Sequence, residues 1–320
     1  MKLILAVIVI AALVSASEAK TVRVAVPSQS MAQIALYVGQ EKGYYQEEGL
    51  DVELILMPAP VANLALIGGN VDFTTVPAAA LNAALRGATL RILFNTFHRP
   101  MHWLYARPQI TELRELKGTR IGVDGLGGAM EILVQEILQK QGLKNEKDII
   151  VLGLGVQSNR YAALQTGIAD AVILTFPFNF TAQQAGFREL VAFMQQDELI
   201  QLAGGIVARE PLADPLVVEK FIRGTLKGLL YIRANRGGAA TILARRIRIK
   251  DDLALRIYDL AYPAMSMDGT LKEELQKKEL AQNLKRLGLK ESPPVEKFFD
   301  FSLVQKARTA LDTQKWQAKP

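Results

Sequence analysis

His98 and His102 are the only histidines of the 320-residue chain, and their spacing of four invites a metal-ligand reading on one helix face. Pro100 stands between them and breaks the helix that such a pair needs, and the chain has no cysteine to complete a ligand set. No metal and no cofactor is expected. The same absence removes disulfides, thiol nucleophiles and a lipidated cysteine, and no credible histidine–acid pair remains for general acid–base work. "GLGVQS" at 153–158 imitates a dinucleotide fingerprint, but Ser158 replaces its last glycine and no acid follows about 20 positions on. The residue types that remain bind rather than react. They are hydroxyls, amides and free backbone N–H groups in four short loops, with Arg99 as the cation beside Pro100.

Those loops are placed by an internal echo. Residues 65–77 read "ALIGGNVDFTTVP" and residues 163–177 read "ALQTGIADAVILTFP", so that Asp72 and Asp170 stand 98 positions apart. "RVAV" at 23–26 answers "RIGV" at 120–123, and "DVEL" at 51–54 answers "IIVL" at 149–152. Each copy reads as strand, loop, amphipathic helix, strand, helix, the "ALxxGxxD" phrase and a third strand, which makes two βαβ-type lobes. In the second copy Met130, Leu133, Val134, Ile137 and Leu138 keep helical spacing until Gly142. Gly69 and Gly167 end the helices, Asp72 and Asp170 precede the third strands, and Pro77 and Pro177 end sheet pairing. Ligands of open α/β sheets bind beyond the carboxyl ends of the strands. Two facing lobes therefore bring Thr75, Val76 and Pro77 and Thr175, Phe176 and Pro177 to the walls of one cleft.

Three further loops sit at equivalent strand ends. Ser28, Gln29 and Ser30 follow the first strand and either cap a helix or hold a ligand. In "DGLGGAM", Gly127, Gly128 and Ala129 let backbone amides approach a polar group at a helix start. Ser158, Asn159 and Arg160 precede another helix and read first as capping residues, with Ser158 and Asn159 the candidate ligand contacts of that loop. Phe97 and Phe176 supply an aromatic wall, Phe178 reads as core, and Arg99 is either a solvated hinge residue or a bidentate grip on an acid.

The remaining organisation follows from composition. Lys2, the apolar run Leu3 to Val14 and the small residues of "SEA" at 17–19 make residues 1–19 an export signal, cleaved near Ala19. No later run reaches the roughly 20 residues of a membrane span. Half of the residues are hydrophobic and 22% charged, an ordinary globular balance. The net charge of +6 is spread without a basic arm, and "ARRIRIK" at 244–250 reads as a solvated helix face, so no nucleic-acid partner is expected. The first part of lobe 1 spans 20–97, lobe 2 spans 98–202, and 203–320 returns to lobe 1. "NTFHRP" (95–100) and "LAGGIVA" (202–208) are the crossings. Helices are expected at 213–235, 239–247, 252–261 and 271–287, with a last pair after "SPP".

The phrases "EKGYYQEEGLDVEL" (41–54), "ALIGGNVDF", "ITELRELKGTRIGV" (110–123) and "RYAALQTGIADAVI" (160–173) together resemble the periplasmic substrate-binding proteins of ABC importers. More narrowly they resemble the nitrate, sulfonate, taurine and thiamine-precursor group, called NitT/TauT or SsuA/THI5-like. The resemblance implies a type II binding-protein fold with two interlobe crossings and a helical C-terminal part. It implies hinge closure around a small sulfonate, organic acid or heterocycle, ligand oxygens held at the "DGLGGAM" loop, and delivery by a monomeric periplasmic receptor to a membrane permease and its ATPase. Two alternatives stand beside it. One is an enzyme of pyrimidine or quinone precursor metabolism on the same fold, against which the export signal argues; the other is a receptor for a non-ABC transporter.

Overall fold

The computed structural model describes residues 19–126, 129–143, 145–196 and 202–319; the segment read as an export signal, apart from Ala19, and Gly127 and Gly128 lie outside them. In chain order the elements are β1 Lys20–Val26, α1 Ile34–Glu41, β2 Leu50–Leu56, α2 Ala59–Ile67, β3 Phe73–Thr74, α3 Pro77–Leu85, β4 Leu90–Phe97 and β5 Trp103–Ala106. Then come β6 Arg120–Val123, α4 Ala129–Gln139, α5 Asn145–Asp148, β7 Ile150–Gly153, α6 Gln157–Thr166, β8 Ala171–Leu174, α7 Phe178–Gln184, β9 Arg188–Ala192 and β10 Gly204–Arg209. The C-terminal part is helical: α8 Pro215–Ala234, α9 Arg236–Ile247, α10 Asp251–Ala261, α11 Glu273–Leu287 and α12 Ser302–Thr313. The expected last pair is one 3-10 turn, Val295–Lys297, and one helix, α12.

The strands form two five-stranded sheets, ordered β2-β1-β3-β10-β4 and β7-β6-β8-β5-β9. β1 runs parallel to β2 and β3, and β6 to β7 and β8. β10 and β5 are antiparallel to both of their neighbours. The two orders are the same, which gives the echo its meaning: each repeat builds four strands of its own sheet and donates its fifth to the other. β4 leads through residues 98–102 into β5 of the second sheet, and β9 leads back to β10 of the first. The segment 202–208 is therefore mostly strand, with Gly204 and Gly205 bulged against β4, and the second crossing lies before it. β4 itself continues to Phe97, so the first crossing starts at His98.

The repeated aspartates do one job in both lobes. Asp72 Oδ2 accepts from Arg23 N at 2.7 Å and Asp170 Oδ2 from Arg120 N at 3.0 Å, while the backbone N–H of each Asp donates to the carbonyl of the same Arg. Each therefore pins the start of the third strand to the first strand of its lobe. Gly69 and Gly167, at φ 73° and 74°, supply the left-handed turn that brings the chain there. Asp170 also receives Arg120 Nε at 3.1 Å, and although burial pushes its carboxyl up, these bonds hold it below the ordinary range. An Asp170→Ala protein should lose about 2 kcal/mol of stability in urea denaturation, the typical value of charge-assisted hydrogen bonds. A loss below about 0.5 kcal/mol would show the clamp to be incidental.

The C-terminal helices complete the first lobe. α8 lies so close on α1 that a Cβ at Gly228 would come 2.3 Å from Ala35 O. The outer edge of β4 is covered, with Asn95 N donating to Gly269 O and Ile92 N to Phe298 O, both at 2.8 Å. That covering removes an edge that would otherwise pair with another chain.

Candidate functional site

At the carboxyl end of the first sheet, Pro27 to Ser30 lead from β1 into a 3-10 turn, Met31–Gln33. Ser28 and Gln29 are exposed and Ser30 is half-buried. The Ser30 hydroxyl meets the Gln33 amide at 2.7 Å, and with the amide nitrogen turned toward the loop it donates to Ser28 O at 3.1 Å as well. The other end of the same buried amide lies 3.4 Å from Thr75 Oγ1. Thr75 N donates to Ala25 O at 3.1 Å, and Val76 and Pro77, both buried, start α3. Gln33 thus brings the Ser28–Ser30 loop and the end of β3 together. Sequence reasoning missed it, although Ser30 and Gln33 have the S-x-x-Q spacing of a capping box.

The second lobe repeats the arrangement with another glutamine. Gln157, the first residue of α6, donates through Nε2 to Phe176 O at 3.2 Å and accepts from Thr175 N at 3.3 Å. Thr175 and Pro177 are half-buried after β8. Ser158 and Asn159 are not caps: Val156 holds the cap position, its carbonyl accepting from Asn159 N at 3.0 Å, and both side chains stand exposed in the first turn of α6. After β6, Asp124 Oδ1 accepts from Gly125 N at 2.9 Å and Ala129 opens α4. Arg160, only 3% exposed, donates through Nε to Ile173 O at 2.7 Å and through Nη1 to Gly155 O. Burial pushes its pKa down, against a smaller opposing pull from Asp124.

Between the lobes, Phe97 is fully buried against Gly204, where its carbonyl accepts from Ala203 N at 3.1 Å. It is core rather than an open wall, because β4 extends through it. Phe176 is equally buried, 4.6 Å from the Trp103 ring and 5.9 Å from Phe180, so the aromatic group is a floor under the second-lobe loops. Phe178 is half-buried and packs on Tyr161. His98 and Arg99 are half-buried at the first crossing, where His98 N donates to Ala264 O. Burial first, then Arg99 and Lys272, lowers the His98 pKa; burial and then Arg160 push His102 down to about 4. Burial thus disfavours the charged form of both imidazoles. Among the described residues no three His, Cys, Asp or Glu side chains lie together as a metal site. The groups gathered at the strand ends offer hydrogen bonds and a field, which suits holding a small molecule.

Two sheets of the same order with exchanged fifth strands match the periplasmic binding-protein fold. The chain matches the NMT1/THI5-like family model over residues 31–239 and belongs to that family. The alkanesulfonate-binding protein SsuA from Xanthomonas axonopodis pv. citri, bound to MOPS, superposes with a TM-score of 0.71 at 18% identity, covering 89% of this chain and 99% of that one. The ligand-binding component of an ABC-type import system from Staphylococcus aureus, with zinc bound, gives 0.73 at 16%, covering 90% and 99%. The desulfurization enzyme DszB gives 0.68 at 14%, covering 91% and 99%, so the same fold also carries catalysis. No curated protein matches the chain in sequence.

Proposed function

We propose that the protein is the extracytoplasmic ligand-binding component of an ABC importer, which encloses a small organic ligand between its lobes and delivers it to a membrane permease. The observation that carries this reading is the pair of glutamine clamps. Gln33 ties the β1 loop to Thr75, and Gln157 ties α6 to Thr175 and Phe176, so both lobes present fixed polar loops at the carboxyl ends of their sheets. The lobes are assigned as 20–97 with 203–320, and 98–202, and closure is a rotation about the two crossings. Ser28, Gln29, Ser30, Thr75, Ser158, Asn159 and Thr175 are the assigned ligand contacts, with Gly127, Gly128 and Ala129 at the helix start and Arg99 at the crossing. Among the described residues no helix is long and apolar enough to cross a membrane, which suits a receptor that diffuses to its permease.

A thermal-shift screen of residues 20–320 against sulfonates, carboxylates, nitrate and pyrimidines, with mass spectrometry of each recovered compound, tests the reading. A ligand at a hundred times its Kd should stabilise the fold by about 2.7 kcal/mol and be recovered unchanged. A chemically altered compound would place the protein with the enzymes of this fold, and no shift by any compound would remove the receptor reading.

A further inference from the structure

Among the described residues two cationic side chains are buried, Lys227 and Arg160, and only Lys227 has a described carboxylate within ion-pair distance. Lys227, 6% exposed, donates to Glu47 and Glu48, and the half-buried Arg223 beside it donates to Glu48 and Glu219. Arg160 is more deeply buried than either, yet its hydrogen bonds go to the carbonyls of Ile173 and Gly155, and no described carboxylate lies within ion-pair distance of it. A buried charge without a counter-ion is costly, and a fold keeps one only where something offsets it. Its nearest acid influence is Asp124, an exposed loop residue already engaged by Gly125 N. Its other titratable neighbour, His102, adds no charge, and His102 Nδ1 is itself buried without a partner.

The place of this charge gives it a use. Gly155 follows β7 and Ile173 lies near the end of β8, so the guanidinium stands beneath the ends of these two strands of the second lobe's candidate site, and Asp124, after β6, is the acid whose charge reaches it. Resting on the receptor reading, we infer that Arg160 is a specificity-determining positioning residue: it fixes the loops after β7 and β8 and supplies the positive field that seats an anionic ligand group on the second lobe. Asp124 weakens that field from the solvent side. The ligand class is thereby an anion, not a neutral heterocycle or an amine.

Calorimetric titration of residues 20–320 with charged and neutral isosteres tests this: butane-1-sulfonate against its sulfonamide, valerate against its amide, benzoate against benzamide, with a neutral pyrimidine and butylamine beside them. The tightest binder should be an anion, about tenfold or more above its neutral isostere, as charge-assisted hydrogen bonding gives. Asp124→Asn, which keeps an acceptor for Gly125 N–H, should raise anion affinity severalfold and leave the neutral isostere unchanged. Arg160→Gln should bring each pair close together, and Arg160→Lys should restore part of the preference, which a purely structural role would not do. A neutral or cationic compound as the tightest binder overturns the inference, as does a folded Arg160→Gln protein with an unchanged charged-to-neutral ratio. If Arg160→Gln does not fold, Asp124→Asn decides alone, and an unchanged anion affinity there is equally fatal. Binding by nothing in the wider screen removes the receptor reading and this inference with it, whereas binding by neutral compounds alone removes only the inference.

Discussion

A Glu279→Gln protein should be more stable than the parent at pH 8 by roughly 3 kcal/mol and equal to it at pH 4. Glu279 lies on α11, 4% exposed, and burial pushes its carboxyl up from 4.5 to about 7. Asn283 Nδ2 at 3.1 Å, Arg286 on its own helix and the Leu202 backbone pull it down less, and Glu136 of α4 pushes it further up. The folded protein therefore binds this proton more tightly than the unfolded chain between pH 4.5 and 7. Stability falls as pH rises through that window, and glutamine, which keeps the acceptor for Asn283, escapes the loss. The position makes this more than a core defect. Arg286 also donates to Asn82 of α3 at 2.8 Å and feels Glu136 of the second lobe, and Leu202 is where the chain returns from the second crossing. Urea denaturation of both proteins at pH 4, 6 and 8 measures the effect; parallel stability–pH curves would show that Glu279 does not titrate in this range.

What could be read from the sequence was whatever the chain states locally and twice. Asp72 and Asp170 stood out because their phrase recurs, and the structure gives them the same bond in each lobe. The helices from α8 to α11 followed from the polar breaks that separate them. The sequence puts 98–202 in one lobe and returns 203–320 to the other, but the place of β5 and β10 inside the sheets, antiparallel between two strands, was not legible. "WLYA" and "GGIVAR" look like ordinary apolar segments, and which strands they join is decided by pairing partners about 70 to 130 residues away. The same distance hid the site's supports. Gln33 and Gln157 carry no distinctive signal, and only the fold shows that each reaches the end of a third strand. Arg160 read as part of a helix start because nothing in "VQSNR" shows that its side chain turns inward beneath β8. Phe97 looked available as a wall because a crossing was expected to begin two residues before it, whereas β4 carries it into the core.

The other large effect concerns how the C-terminal half is fastened to the first lobe. Glu48 ends the 3-10 turn after α1 and accepts from two cations one helical turn apart on α8: Arg223 Nε at 2.9 Å, with a second bond from Nη2, and Lys227 Nζ at 3.0 Å. Glu47 takes the other contact of Lys227 at 2.8 Å. Burial acts to raise the Glu48 carboxyl, but the bonds from Arg223 and Lys227 outweigh it and hold it below its ordinary value. Removing the shared negative charge leaves Lys227 with the more exposed Glu47 alone and Arg223 with the longer contact to Glu219 alone. A Glu48→Gln protein should therefore lose about 3 kcal/mol or more at pH 7, the cost of breaking a buried pair from one side. The sign in pH is opposite to that of Glu279. A depressed carboxylate contributes its stability above the unfolded value near 4.5, and the contribution is lost as pH falls through the lower folded value. The gap between Glu48→Gln and the parent should accordingly narrow in acid. Glu48 and Gly49 precede β2, at the amino ends of the strands and opposite the candidate loops. Ligand affinity should stay unchanged while the denaturation midpoint drops, and a loss under about 1 kcal/mol at pH 7 would mean that packing of α8 on α1, rather than these charges, holds the two halves together.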